Sequence, residues 1–102
     1  MPPYRIDFGS LEWRHPDEGV RSKVYKQDGR QIRLLEFTSE FVEAVWCTRG
    51  HIGYILEGRL EIDFSGEIME FGPGNGIFIP AGHKHKARVL SDVVRLVMVE
   101  DV

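Results

Sequence analysis

Residues 74–85 read GNGIFIPAGHKH, and this stretch decides the fold. Two glycines precede a three-residue apolar run, residues 77–79, which is typical of a β-strand. Pro80 lacks a backbone N–H and ends strand pairing, while Gly82 allows the chain to turn a corner. The corner brings His85 to a fixed position beyond the strand. The function therefore depends on which side chains meet His85.

The composition indicates one small domain over residues 1–102. The chain has 102 residues, of which 42% are hydrophobic, and a net charge of −3. This length suits a single domain, and this apolar fraction is enough for a core. Charges of both signs are interspersed along the chain. We therefore expect neither a nucleic-acid partner nor a membrane surface as a partner.

The single cysteine, Cys47, rules out an internal disulfide framework and suits a reducing compartment. The chain begins MPPYRIDF, which lacks the apolar core of a signal peptide. No apolar run is long enough to cross a bilayer. We therefore expect a cytoplasmic protein.

Short strands separated by Gly, Pro and Asp turns are predicted along the chain. Residues 1–19 are expected to form a loop with one short strand at residues 4–8. Asp28 and Gly29 predict a hairpin turn, because both residue types tolerate positive φ. Further strands are predicted at residues 21–25, 31–37, 41–47, 68–71, 77–79, 83–90 and 93–99. The pattern predicts an all-β sandwich or barrel, since no segment shows a helical period with a cap.

The clearest alternation of apolar and charged residues follows Gly53. It predicts a strand with one face towards the core and one towards water. Gly58 lies in its middle and predicts a bulge or a bend. The residues of the apolar parity are Tyr54, Leu56, Leu60, Ile62 and Phe64.

The opening stretch resembles the second sequence motif of the cupins, G-x-x-x-x-x-P-x-G-x-x-H-x-x-x-N. Gly74, Pro80, Gly82 and His85 occupy its first four fixed positions, and Val89 stands in place of the final Asn. The resemblance implies a cupin-type double-stranded β-helix, that is, a jelly-roll barrel.

The first cupin motif, G-x-x-x-x-x-H-x-H-x-x-x-E-x-x-x-x-x-x-G, is similar to the chain around Gly58. Aligned on that glycine, the acidic position of the motif corresponds to His51, and its two histidines correspond to Val45 and Cys47. The two motifs together cover residues 39–89. The framework of the family is therefore kept, while its metal-binding residue types are changed.

Cupins bind a divalent metal inside the barrel through the residues at these positions. The resemblance therefore implies Cys47, His51 and His85 as metal ligands, whereas Val45 cannot contribute. Cys47 and His51 can share an ion only if residues 48–50 fold the chain back, since four residues of straight strand span about 13 Å. Thiolate and imidazole suit zinc, iron or nickel, and three protein ligands leave a position open.

Three alternatives stay open for these residues. In the first, Cys47 is a small buried residue beside two hydrogen-bonded histidines, with no ion present. In the second, Cys47 is a nucleophile that His51 or His85 activates. Glu43 shares strand parity with Cys47 and is a candidate fourth ligand, whereas His83 is expected to face water.

Two functions from different classes follow. The first is a metal-dependent enzyme, such as an oxygenase, isomerase or lyase, that acts on a small polar metabolite. The second is a non-catalytic module that binds a sugar or an acid, with or without a metal. In either case we expect Trp46, Tyr54 and Phe78 to line the substrate pocket, although aromatic residues more often serve packing alone. The apolar residues 93–99 predict a central strand or a subunit contact, and we expect a homodimer.

Overall fold

The computed structural model describes residues 4–102, which form nine β-strands and one short 3-10 helix, Phe8–Ser10. The strands are β1 (Arg14–Asp17), β2 (Val20–Gln27), β3 (Arg30–Thr38), β4 (His51–Glu57), β5 (Leu60–Asp63), β6 (Ile68–Phe71), β7 (Gly76–Ile79), β8 (Lys86–Val89) and β9 (Val93–Asp101). Within these residues, no helix has the length and apolar character needed to cross a membrane.

The strands form two antiparallel sheets. The larger sheet has the order β1-β2-β3-β9-β4-β7, and the smaller one has the order β6-β5-β8. The last strand, β9, is central in the larger sheet, because it pairs with β3 on one side and β4 on the other. This arrangement confirms the predicted all-β, jelly-roll architecture.

Three local predictions are wrong. Residues 4–8 do not form a strand, because the Asp7 carboxylate accepts a hydrogen bond from the Gly9 N–H and starts the 3-10 helix instead. Residues 14–17 form β1 inside the segment that was expected to be a loop, of which residues 1–3 lie outside the described part. Residues 41–47 form no strand, and their β-type backbone pairing consists of isolated bridges at Val42 and Cys47.

Gly58 switches which side chains face the core. Its φ is +85°, and a Cβ here would lie 2.0 Å from the Val93 carbonyl oxygen, so only glycine fits. Before this turn the odd-numbered Ile55 is buried, and after it the even-numbered Leu60 is buried. The predicted single strand is therefore wrong. It is two strands of different sheets, and Tyr54 lies half exposed on the outer face.

The core lies between the two sheets. Its most deeply buried residues are Ile55, Val94 and Leu96, which come from β4 and β9. The smaller sheet contributes Leu60 and Ile62 to the same cluster. The packing leaves a cavity of about 250 Å³ between the sheets, and its wall includes side chains from both.

Candidate metal centre

The loop before β4 and the corner before β8 bring Cys47 and His85 together. The two residues form an isolated antiparallel bridge, in which each backbone N–H donates to the other residue's carbonyl oxygen over 2.9 Å. Thr48 accepts a further hydrogen bond from the Gly82 N–H, also over 2.9 Å. The glycine corner of the second motif therefore holds the loop that carries Cys47.

His51 lies beside Cys47 where residues 47–51 run alongside the corner that follows β7. Cys47 bridges His85, and His51, the first residue of β4, lies opposite Ile79 of β7. At Gly50 a Cβ would approach the Ala81 nitrogen to 3.0 Å, so a larger residue would crowd this contact. Cys47 and His51 meet, but the fold-back that the sequence analysis required is not formed, because residues 48–50 contain no turn or bend.

The three predicted ligands lie close enough to hold one ion. One donor atom from each of Cys47, His51 and His85 lies within 4.8 Å of the others. Cys47 Sγ is 3.6 Å from His51 Nε2, and the two imidazole rings are edge to face with centroids 5.1 Å apart. Both histidines are buried, while Cys47 is partly exposed.

Hydrogen bonds fix the tautomers of the two histidines. His85 Nδ1 is 2.8 Å from the His83 carbonyl oxygen, which can only accept, so Nδ1 carries the proton. His51 Nδ1 is 2.5 Å from a carboxylate oxygen of Glu100 and likewise donates. With the proton on Nδ1, a neutral ring has its lone pair on Nε2, which is the form that binds a metal ion.

Glu100 anchors this arrangement from β9, and the sequence reasoning missed it. Its side chain accepts two hydrogen bonds from Arg33, at 2.6 Å each, and one from Gln31 at 2.8 Å. Burial by itself would raise the pKa of Glu100, but the hydrogen bonds from His51, Arg33 and Gln31 outweigh it and lower the pKa to about 2. Glu100 is therefore ionised and acts as the acceptor.

Glu100 could have been identified from the pairing of β4 with β9, but not from a sequence motif. Ile52 lies opposite Val99 in the β4–β9 ladder, so the next pair outward brings His51 beside Glu100. The sequence alone does not reveal that these two strands are neighbours, because about forty residues separate them and local patterns carry no pairing information.

Glu43 and His83 have other roles. Glu43 lines the cavity, but its carboxylate accepts a hydrogen bond from the Ala87 backbone N–H over 2.9 Å. It is not part of the cluster of Cys47, His51 and His85. His83 is exposed to water and serves the site through its carbonyl oxygen.

The three aromatic residues that were expected to line the pocket do not line this cavity. Phe78 is 75% exposed and lies on the outer face of β7, because its neighbours Ile77 and Ile79 point inward. Tyr54 lies on the outer face of β4. The Trp46 ring is covered instead by the ammonium groups of Lys84 and Lys86, at 5.2 and 4.7 Å from its centroid.

Comparison with known proteins gives the family. A family model described as the cupin domain matches residues 48–100, just over half of the sequence. The chain belongs to the cupin family. No curated protein matches the sequence.

Solved structures agree with this cupin in fold. KdgF from Halomonas sp. is 19% identical with a TM-score of 0.77, over 92% of this chain and 91% of that one. An RmlC-like cupin from Shewanella frigidimarina is 14% identical with a TM-score of 0.79, over 96% of this chain and 89% of that one. The polyketide cyclase RemF from Streptomyces resistomycificus is 21% identical with a TM-score of 0.77, over 95% and 78%. At these identities the likeness establishes the fold and nothing more.

The donor set of this cupin fits a divalent transition metal. One thiol and two imidazoles are ligand types that zinc, iron and nickel accept. Both imidazoles have their Nδ1–H groups bonded to protein oxygens, as metal-binding histidines usually do. The residues present are therefore able to hold such an ion.

Proposed function

We propose that this cupin binds a divalent transition metal through Cys47, His51 and His85 and acts on a small molecule held inside the barrel. The observation that carries the proposal is the joint orientation of the cluster. Three donor atoms lie within 4.8 Å, and both histidines have their second nitrogen occupied by a protein acceptor. A cluster that served packing alone would not need both tautomers fixed in the same way.

The three side chains leave at least one position open for a ligand, since such metals take four or more donors. A metal bound there would supply Lewis-acid polarisation of an oxygen group of the ligand. The protein contributes the orientation of the imidazoles, through Glu100 and the His83 carbonyl, and a mostly apolar cavity wall beside them. Zinc, iron and nickel all fit this donor set.

Metal analysis tests the proposal directly. Untagged protein is expected to contain close to one equivalent of transition metal, or to take it up when it is added. His85→Ala should lower the metal content strongly, because it removes one of three ligands. His83→Ala is the matched control, since it leaves the carbonyl that orients His85 in place. Wild-type protein that is metal-free and cannot be loaded would contradict the proposal.

A second candidate function is nucleophilic catalysis by Cys47 without a metal. Its specific support is the chain of contacts from Cys47 Sγ to His51 Nε2 and from His51 Nδ1 to Glu100, a nucleophile, a base and an orienting carboxylate. The metal proposal is preferred because it also accounts for His85, which such a triad leaves without a role. Glu100 supplies the third residue that the sequence did not reveal.

Alkylation of Cys47 with iodoacetamide separates the two candidates. An activated thiolate should react faster in wild-type protein than in His51→Gln at neutral pH, whether or not metal is removed. A metal ligand should be protected when metal is bound and should become reactive after chelation. Equal rates in all of these samples would exclude the nucleophilic candidate.

The identity of the bound metal distinguishes a catalytic role from a binding role. Iron with an oxygen-dependent spectral change would support an oxygenase. Tightly held zinc that no added small molecule perturbs would support a binding or structural role. We propose a cytoplasmic location, because a single free cysteine suits a reducing compartment.

We also propose that a second copy of this chain covers the outer face of the larger sheet. Ile52 of β4 lies between Phe78 of β7 and Val99 of β9, and Ile32 of β3 continues the row. Phe78 and Ile52 are 75% and 51% exposed. A two-fold axis would bring this apolar row onto itself and remove it from water. Sedimentation that gives only the monomer mass at micromolar concentration would contradict the dimer, and Phe78→Ser should weaken it.

A further inference from the structure

In the cavity beside the candidate metal centre, the polar and apolar parts of the wall are separated. It is bounded by apolar side chains from both sheets. The wall residues that matter most here are Leu35, Leu60, Ile62, Ile77, Leu96 and Met98. All six are buried, so the wall is a fixed part of the core rather than a set of mobile surface groups.

Besides the cluster, the charged side chains that line the cavity each make at least one hydrogen bond to the protein; they are Asp17, Arg33, Glu43 and Arg49. Arg33 donates twice to Glu100, and Arg49 donates to the Asp101 carbonyl oxygen over 3.2 Å. Glu43 accepts from the Ala87 N–H. Away from the cluster of Cys47, His51 and His85, most of the surface that the cavity presents to a ligand is apolar.

A ligand in this cavity contacts polar atoms at the Cys47–His51–His85 cluster and mostly apolar side chains elsewhere. A polyhydroxylated ligand would leave several hydroxyl groups without partners against that wall. Each such buried, unpaired hydroxyl lowers affinity by about five- to a hundredfold. An apolar body gains instead from leaving water. This argues against the small polar metabolite or sugar that the sequence suggested.

The size of the cavity sets the size of the apolar body. An apolar cavity of about 150 Å³ is known to admit benzene. The cavity here is about 250 Å³, which is enough for a six-membered ring together with one oxygen-bearing group. Phe37 and Phe41, stacked with ring centroids 4.6 Å apart, form part of the wall that would contact such a ring.

We propose that the cavity takes a compact, mostly apolar molecule of six-membered-ring size that carries a single anionic oxygen group, with that group at the Cys47–His51–His85 cluster. The inference rests on the proposed function, because it assigns the ligand to the same cavity. It goes further by naming the chemical class of that ligand.

Two matched probes test this class. Cyclohexanecarboxylate and glucuronate both have a six-membered ring and one carboxylate, but only the second carries hydroxyl groups. Binding is measured by calorimetry and by ligand-induced NMR shifts, on metal-loaded and metal-free protein. Cyclohexanecarboxylate should bind at least about tenfold more tightly than glucuronate, with a negative heat-capacity change that marks apolar burial.

Two variants with the same side-chain change show where the probe binds. Val20 lines the cavity and is 9% exposed, so Val20→Phe should fill part of it and weaken cyclohexanecarboxylate binding by about tenfold or more. Val45 lies on the loop before Cys47 and is 77% exposed, so Val45→Phe should leave binding unchanged. Near-UV circular dichroism and metal content confirm that each variant keeps its fold and its cluster.

The outcomes separate this inference from the metal proposal. One outcome is that the protein takes up no metal, binds cyclohexanecarboxylate more tightly than glucuronate, and binds it weakly in the Val20→Phe variant. In that case the metal proposal fails and the ligand class stands. If metal binds but glucuronate binds as well as or better than cyclohexanecarboxylate, the ligand class is overturned. Folded, metal-loaded protein that binds neither probe at millimolar concentration also overturns it.

Discussion

Glu100 and Glu36 lie on opposite faces of the larger sheet, and both accept hydrogen bonds from arginine side chains. Glu100 on β9 faces the barrel interior and accepts two hydrogen bonds from Arg33. Glu36 on β3 faces outward and accepts two from Arg21, with Arg95 adding further bonds. Both carboxyl groups have a lowered pKa.

The difference lies in what each carboxylate is connected to. Glu36 contacts only arginines, whose side chains are 41% exposed. Glu100 has a side chain only 1% exposed and is bonded to His51, whose other nitrogen lies 3.6 Å from Cys47 Sγ. The lowered pKa of Glu100 is therefore coupled to a histidine that lines the cavity, whereas that of Glu36 is coupled to arginines on the outer face.

The largest effect is expected from Glu100→Gln. The amide removes the charge that compensates Arg33, which should lower the free energy of unfolding by about 3–5 kcal/mol. It also presents an N–H group towards His51 Nδ1, which favours the tautomer that has its proton on Nε2. Metal affinity should fall by about 10- to 100-fold. Urea unfolding of metal-free protein measures the change in stability, and chelator competition measures the change in metal affinity. Unchanged metal affinity would show that Glu100 has no role in metal binding.

Glu36→Gln is the matched change on the outer face and should have a smaller effect. Its arginine partners are partly exposed and remain hydrated when the charge is lost. The expected decrease in the free energy of unfolding is about 1 kcal/mol or less, with no change in metal affinity. A decrease as large as that of Glu100→Gln would show that burial of the partners does not distinguish the two sites.

The smallest effect concerns the acid sensitivity of the outer-face carboxylate. The hydrogen bond from Arg21 lowers the pKa of Glu36 more than burial raises it, and Arg95, itself paired with Glu57, adds to the lowering. A folded-state pKa below the ordinary value of 4.5 gives stability that is present above that pH and is lost as the pH falls through the folded-state pKa.

The stability difference between wild type and Glu36→Gln should therefore be present at pH 7 and shrink below pH 4.5. Urea unfolding of both proteins at a series of pH values measures this difference. A stability difference that grows as the pH falls would contradict this prediction, because it would mean that the pKa of Glu36 is raised on folding.

Much of the fold was predictable because its signals are local. The Asp28–Gly29 hairpin has both residues at positive φ, 53° and 76°, as their types favour. The motif glycines Gly74 and Gly82 also have positive φ, 89° and 91°. Such requirements act within a few residues, so they can be identified in the sequence without knowing which strands pair.

The failed strand at residues 4–8 reflects a local contact between Asp7 and Gly9, but two other failed predictions needed non-local information. Residues 41–47 have the composition of a strand, but their backbone pairing is limited to isolated bridges from Val42 to Arg88 of β8 and from Cys47 to His85 just before β8. Tyr54 was assigned to the parity of Leu60, yet the turn at Gly58 places them in different sheets and reverses the inward side. The alternation of residues identifies two faces, but only packing decides which of them is inside.

The sequence by itself determined an all-β cupin barrel and the identities of Cys47, His51 and His85, because turn chemistry and motif spacing are written in neighbouring residues. Only the tertiary structure decided that Glu100 stands behind His51, since that contact depends on the pairing of β4 with β9. It also decided that the cavity is apolar while Tyr54 and Phe78 lie outside it. Which side chains share an interior is fixed by how two sheets pack, and no local pattern specifies that.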